Sequence, residues 1–517
     1  MLNIKLLSVL LFSVLAFGPV VHADLVCRSV FVKESTFPQD RKTKQTVQQE
    51  IKNSKSASVS FMSFFMRESN QLKDQYRNKV LEIENLCLGA GPQCAAASLV
   101  FGEVKNARSL VLEQSDLVAK TFAEKDFFIN TSELPTLTMH EFPGGVGSLS
   151  DHTSQRFAHS SQLASYIQSQ QYSSSVPVLL GTKALSFKVL ELQGKKVIEI
   201  ETDQGITIHT KSLFIGTGLG KVTTKVTDSS YKATFEKYQE HSQSKPNSLL
   251  PMMSTDALLT FIKNIPQSSK VSFPKNIILI GNGDGSRISV EGLLSPQVQL
   301  PKGVKFTWIG NPHNTAADFE ASQKGWERYV PLIRPFYEKN LITGVPGHVQ
   351  SWKLRADGSA RLTCFDEKTG VTTELTVAKN DLIIDSTGYE NVVPGILAGL
   401  EVRPELADVR GPLPEMQLES TVLGRQAISQ AGEQLPIYAL GAAAGPLATK
   451  EEMATSLNKV PVSMFNTISR TSNFVAQLLG IPAFSSTHGA RESRPTVKAS
   501  TDILKNAEQR RDQRRNQ

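Results

Sequence analysis

The sequence holds only four cysteines in 517 residues, Cys27, Cys87, Cys94 and Cys364, and no Cys-x-x-Cys. So few cannot staple a disulfide-rich scaffold, and the missing Cys-x-x-Cys excludes a dithiol redox centre of that type. The nine histidines are scattered without metal-ligand spacing, so no metal site is expected. No Ser/His/Asp constellation or carboxylate pair stands out, and no catalytic residue is assigned. Charge of one sign is not in surplus over the body of the chain. Of the formal +7, residues 491–517 contribute +4, with eight Lys/Arg against four Asp/Glu. The near-neutral remainder argues against a nucleic-acid partner. The basic end, Arg510-Arg511-Asp512-Gln513-Arg514-Arg515, reads as part of a flexible tail over residues 481–517. The alternative reading of that tail is contact with an anionic membrane surface.

Long apolar runs are scarce too. The one of note covers residues 6–21, after a start bearing a single positive charge at Lys5. It runs into Val21-His22-Ala23, small at the two positions a signal peptidase reads. Residues 1–23 are therefore expected to be a secretory signal, with Asp24 opening a mature chain that is periplasmic or secreted. The run is short for a membrane span, and Gly18-Pro19 would break a helix near its end. An uncleaved anchor is the alternative. No Arg-Arg pair precedes the run, so twin-arginine export is not signalled.

Residues 24–84 are polar, with apolar positions at loose helical spacing, and read as an N-terminal helical extension. From Asn85 the texture changes to short apolar runs that stop at glycine, the pattern of parallel βαβ units. Residues 85–220 form one such region. Residues 221–273 are polar and read as a linker or a substrate-side insertion. The βαβ texture restarts over 274–390, and further strand and helix patterns follow over 391–480.

Two strand–turn–helix motifs carry the chemistry. The first is Leu88-Gly89-Ala90-Gly91-Pro92-Gln93-Cys94. A dinucleotide pyrophosphate needs a sharp turn at the first glycine, close backbone approach at the second, and the amides of a helix N-terminus. Gly89 and Gly91 fit those roles, with Ala90 between them, Pro92 opening the helix and Cys94 as the small third residue. Glu113 ends the next strand, placed to accept hydrogen bonds from adenosine ribose hydroxyls. The bland alternative is a tight turn with no ligand.

The second motif is Gly281-Asn282-Gly283-Asp284-Gly285-Ser286, again between a strand and a helix, with Ser286 as the third small residue. Two features weaken it. Asp284 puts a carboxylate where a diphosphate should meet amides, and like charges repel. The next strand ends Trp308-Ile309-Gly310-Asn311, without the acid that favours NAD or the Arg that suits NADP. Asp284 could equally cap its own helix. NAD(P)H binding and a structural relic both stand as readings.

Two later runs, ending Gly216-Thr217-Gly218 and Asp385-Ser386-Thr387-Gly388-Tyr389, look like the strand-to-Thr-Gly crossings of the two-dinucleotide-binding-domain flavoproteins. Ile437-Tyr438-Ala439-Leu440-Gly441 resembles the last FAD-domain strand of that superfamily. Within it, residues 381–389 look most like the flavin-dependent monooxygenases, the amine N-hydroxylases included. The resemblance implies an α/β fold of two nested Rossmann-type domains with parallel sheets, plus the N-terminal helical extension. It implies FAD on Gly89, Ala90, Gly91, Pro92, Cys94, Glu113, Thr217, Gly218 and Gly441. It places NAD(P)H, where used, at Gly281, Gly283, Ser286, Thr387 and Gly388. The resemblance would take the glycine-rich loop at residues 140–147 past the flavin; the alternative reading is a flexible loop. One departure is Ala442, where many relatives carry an Asp that holds the flavin ribityl chain.

The implied function is flavin-dependent oxidation of a small molecule, monooxygenase-like. Export sets the chain apart from cytosolic NAD(P)H and favours a rival, an FAD-dependent oxidase or dehydrogenase fed by its own substrate. A non-catalytic flavoprotein-fold binding module is the third class.

Overall fold

The structure is a computed structural model. It describes residues 41–125, 127–130, 142, 144–145, 149, 157–266, 271–294, 298–322, 330–403, 405–413, 418–445, 447, 464–482 and 500–515. The expected signal, the Asp24 start and all of the 140–147 loop except Phe142, Gly144 and Gly145 lie outside the described residues.

The chain opens with helix α1 (Arg41–Tyr76), strand β1 (Val80–Leu88), α2 (Pro92–Phe101) and β2 (Ser109–Leu112). Next come α3 (Lys120–Ala123), a hairpin of β3 (Phe128–Asn130) with β4 (Phe157–His159), α4 (Ser160–Ser173) and β5 (Val178–Leu179). Strands β6 (Ala184–Leu192), β7 (Lys195–Thr202) and β8 (Thr207–Ile215) close the first region. A short strand β9 (Lys221–Thr223) leads to α5 (Ser229–Ser244), β10 (Met252–Ser254) and α6 (Thr255–Lys263). Then follow β11 (Asn276–Ile280), α7 (Asp284–Leu293), β12 (Lys305–Ile309), α8 (Ala316–Ser322), α9 (Val330–Glu338) and β13 (Ile342–Val345). An antiparallel sheet of β14 (His348–Leu354), β15 (Ala360–Asp366) and β16 (Val371–Val377) precedes β17 (Leu382–Asp385) and β18 (Gly388–Glu390). The chain ends with α10 (Val393–Gly399), β19 (Leu406–Leu413), β20 (Leu418–Ile428), β21 (Gln434–Ala439), α11 (Met464–Leu478) and α12 (Ser500–Arg515).

The first sheet orders β19-β20-β21-β8-β1-β2-β5, with the β6–β7 hairpin joined to β8 through β7. The second orders β10-β17-β11-β12-β13 and is parallel throughout. Its strands all lie between β8 and β19 in the chain, so the second domain is nested inside the first. The central strands are buried on both faces and read as unbroken apolar runs, as parallel sheets require. Each fully buried Leu or Phe there contributes roughly 1.5–3 kcal/mol.

Register sets the sites. Leu88 of β1 pairs with Leu112 of β2 and Ile215 of β8, and Ile215 pairs with Ala439 of β21. Gly89, Glu113, Gly216-Thr217 and Leu440-Gly441 therefore leave the sheet at one carboxyl edge, where ligands sit in open α/β sheets. In the second sheet Ile280 pairs with both Ile309 and Asp385, which brings Gly281, Gly310 and Ser386 together likewise.

Two segments differ from what composition suggested. Residues 221–273 are not a linker or a substrate-side insertion. Met252 pairs with Ile383, so β10 is the edge strand of the second sheet, and α5 and α6 pack beside it. The apolar patch around Met252 and Met253 is this strand, too short to declare itself. The outgoing β9 pairs antiparallel with the returning β18, so one two-stranded ribbon carries both crossings between the domains.

The basic end is the other. Over residues 500–515 it is a helix packed against α1 and α4, not a solvated tail. Arg511 donates to Glu68 Oε1 and the Tyr172 carbonyl, both at 3.0 Å, and lies over the rings of Phe64 and Tyr172. Arg514, with its side chain 1% exposed, donates to Glu103 and to the carbonyls of Ser173 and Gly144. Burial pushes the Glu68 carboxyl up, against the pull of Arg511. Helix α1 presents Ala57, Phe61, Phe65 and Ser69 as its buried stripe, four residues apart.

Among the described residues no helix is long and apolar enough to cross a membrane. No group of His, Cys, Asp and Glu among them could hold a metal ion.

Candidate dinucleotide sites

At the first turn Gly89 has φ +96, and a Cβ there would lie 3.0 Å from the Gly216 carbonyl oxygen. Only glycine fits. Gly91 is the N-cap of α2 in extended conformation, with no side-chain cap, and Pro92 opens the helix. A Cβ on Gly91 would meet nothing within 4 Å, so the face above this helix end is open. Beside it, Thr217 Oγ1 is sealed from solvent and has no hydrogen-bond partner among the described residues. An open helix end beside a turn with an unsatisfied hydroxyl is an arrangement that fits a bound pyrophosphate.

Glu113 sits where expected, but with work already in hand. Its Oε2 accepts from the Ala90 amide at 2.6 Å and its Oε1 from the Ser115 amide at 2.8 Å. The carboxylate thereby ties the end of β2 to the turn. Gly218 takes φ +69 in the open.

Cys94 and Gly441 differ from their expected roles. Cys94 is small, as the third position demands, but it forms a disulfide with Cys87 and pins α2 to β1. The pairing follows from tertiary geometry: the third position of the turn packs onto the strand two residues before the first glycine. Gly441 has φ +53, and a Cβ on it would strike Gln93 Cδ at 2.6 Å. Its missing side chain makes room for Gln93, which accepts from Thr471 Oγ1 on α11. Gln93 was not singled out by the motif.

The second turn repeats the geometry. Gly281 has φ +115, with Ser386 O 3.0 Å from a built Cβ, and Gly283 is an extended, open N-cap. Ser286 Oγ and Trp308 Nε1 both donate to the Gly281 carbonyl, at 2.7 and 2.8 Å. Asp284 is not the cap: it is the first residue of α7, exposed, one position beyond Gly283. Arg287, which the motif did not flag, curls back to donate to the Asn282 carbonyl at 3.2 Å. The turn thus carries one charge of each sign. Asn311 after β12 points inward, donating to the Tyr337 hydroxyl at 2.7 Å, and burial pushes that phenol up to about 12.

Thr387 and Gly388 serve the crossing rather than this turn. Thr387 donates through its amide and hydroxyl to Asp385 Oδ1 and accepts from the Lys225 amide. A Cβ on Gly388 would strike Lys225. Asp385 Oδ2 also accepts from Thr224 and Tyr231, so one buried carboxyl binds both arms of the ribbon, and burial raises its pKa. Across the domains, Lys125 pairs with Asp256 at 2.6 Å, and Tyr389 donates to the same carboxylate.

Comparison with protein-family models and with curated protein sequences finds no match. Among solved structures, the FAD-bound cadaverine monooxygenase of desferrioxamine biosynthesis from Erwinia amylovora superposes with a TM-score of 0.50 at 12% identity. The match covers 81% of this chain and 99% of that one. The chain has the fold of the two-dinucleotide-binding-domain oxidoreductases. L-lysine 6-monooxygenase from Pseudomonas syringae matches at TM-score 0.48 and 14% identity, over 77% of this chain and 99% of that one. Bacillithiol disulfide reductase from Staphylococcus aureus gives 0.47 and 13%, over 77% and 98%.

Proposed function

We propose that the chain is an exported FAD-dependent oxidoreductase acting on a small molecule, with monooxygenase-like architecture. The open cradle at Gly91, where a Cβ at the helix start would meet no atom within 4 Å, carries the reading. The amides at the start of α2 would hold the pyrophosphate, and Glu113 would take a ribose hydroxyl. Bound FAD supplies two-electron transfer and reactivity with dioxygen. The likeness in fold to an FAD-bound cadaverine monooxygenase supports the monooxygenase class. Purified protein should be yellow or become so on adding FAD. A folded protein showing no flavin absorbance after incubation would leave the binding-module reading in its place.

A second reading, an oxidase or dehydrogenase that draws electrons from its substrate, rests on Asp284 and the inward Asn311. Phosphate at this helix end meets an exposed carboxylate first, and Arg287 only partly offsets it. Asp284→Asn should tighten NADPH binding about fivefold, and Arg287→Ala should weaken it by a similar factor, the scale of exposed charge pairs. Anaerobic stopped-flow reduction with NADH and NADPH reads both. Rapid reduction of the wild type at micromolar nucleotide would remove the oxidase reading.

Export is part of the proposal. The start of the chain and the Cys87–Cys94 disulfide, a bond that persists in oxidising compartments, both support it. N-terminal sequencing of protein from the extracytoplasmic fraction should begin at Asp24. Intact Met1 in a soluble cytosolic pool would refute it. The burial of Arg511 and Arg514 against the chain itself supports an internal use of the basic end over a membrane one.

A further inference from the structure

We propose that the Cys87–Cys94 disulfide is a lock on the cofactor turn, closed only in an oxidising compartment, that couples FAD retention to export. It rests on the FAD reading above. The bonded pair stand seven residues apart and enclose Gly89, Ala90, Gly91 and Pro92, the whole strand-to-helix part of the cradle. Both cysteines are fully buried. A Cβ on Gly216 would lie 2.7 Å from Cys94 Sγ, so α2, β1 and the end of β8 converge on this sulfur.

The flanks of the turn are held by backbone bonds, Gly89 N–H to the Leu112 carbonyl and Ala119 N–H to the Ala90 carbonyl, but its middle is glycine-rich. Two of its residues are glycines, which lose the most freedom on ordering. A side chain at Gly91 would meet no atom within 4 Å, and the helix start has no side-chain cap. Side-chain tethers reach it from two sides, the Glu113 carboxylate on the Ala90 amide and Thr471 on Gln93. Closing a ring around such a segment removes disordered alternatives that a ligand would otherwise have to suppress.

The bond forms by exchange with an external donor disulfide: the two thiols give up two protons and two electrons, and the donor leaves as its dithiol. Because both sulfurs are sealed in the fold, exchange precedes final closure of the domain, and the folded protein keeps the bond. In a reducing cytosol the chain would carry two thiols and a looser turn. The device is a one-way commitment rather than a reversible switch.

The test compares oxidised wild type, wild type refolded with a phosphine reductant, and Cys87→Ala/Cys94→Ala. Circular dichroism reports the fold, and flavin fluorescence quenching gives the FAD dissociation constant. The expected result is folded protein in all three, with that constant raised at least tenfold in the reduced and double-variant forms. Equal affinity in folded thiol and disulfide forms would overturn the lock. So would complete unfolding of both thiol forms, since the bond would then define the fold and not the turn. Failure of the oxidised wild type to take up FAD would instead strike the cofactor reading itself.

Discussion

Replacing Gly91 with valine should leave the protein folded and strip it of flavin. The two halves of that expectation have separate causes. At φ −92 and ψ −172 the backbone of Gly91 is in ordinary extended space, and a Cβ there meets no atom within 4 Å. Valine is therefore tolerated by the apoprotein. The same emptiness is the path a pyrophosphate must take to the helix amides, and a branched side chain fills it. Overpacking of this kind costs about 1–3 kcal/mol, and losing the helix-end field on the phosphates adds up to roughly 2 kcal/mol in a partly buried site. FAD affinity should fall more than a hundredfold, a factor corresponding to about 2.8 kcal/mol. Gly89→Ala is the contrast: φ +96 and the Gly216 carbonyl at 3.0 Å make it a folding defect. Absorbance at equal protein concentration, with circular dichroism as the fold control, reads both variants. A folded Gly91→Val protein that keeps its flavin would mean that the cofactor does not approach this helix end.

The two turns show what a sequence can declare. Gly89, Gly91, Gly281 and Gly283 were legible because their requirement is local: a left-handed residue, then a helix start with no side chain over it. Glu113 was legible by its place at a strand end, though its bonds to Ala90 and Ser115 were not. The disulfide was hidden because Cys87 and Cys94 meet only when helix and strand pack. Gln93 filling the space beside Gly441, and Asp385 joining both arms of the β9–β18 ribbon, depend on segments 378 and 161 residues apart. Strand β10 was hidden by its shortness. Its neighbour in the sheet, β17, lies more than a hundred residues further on.

The basic end was misread for another reason. A charge count averages over the helix surface, whereas Arg511 and Arg514 are three residues apart and share one face. That face meets Glu68 and Glu103, while Arg515 on the same helix remains half exposed.

Arg514→Ala should therefore destabilise the folded protein by about 2–3 kcal/mol, far more than a surface charge is worth. The guanidinium donates to Glu103 Oε1 through Nε and Nη2 at 3.0 and 2.8 Å, and to the Ser173 and Gly144 carbonyls at 2.9 and 3.1 Å. Removing it leaves the Ser173 and Gly144 carbonyls short of a donor and Glu103 with Arg510 at 3.1 Å, and opens a gap beside Gly102, whose absent Cβ would lie 3.2 Å from Arg514 Cδ. Breaking a fully buried pair costs about 3–5 kcal/mol, but the Glu103 side chain is 22% exposed and recovers some hydration, which sets the lower figure. Arg514→Lys should recover only part of the loss, because a single ammonium cannot serve a forked arrangement of acceptors. Changing Arg514 and Glu103 together to methionine should cost less than the sum of the single changes, since no buried charge is then left alone. Urea unfolding followed by circular dichroism measures the series. Hydrogen exchange at Gly144 and Gly145 should rise in step, because Arg514 reaches the Gly144 carbonyl from the far end of the chain. A loss under about 0.5 kcal/mol, the range of ordinary surface substitutions, would show that the C-terminal helix contributes nothing to holding the first domain together.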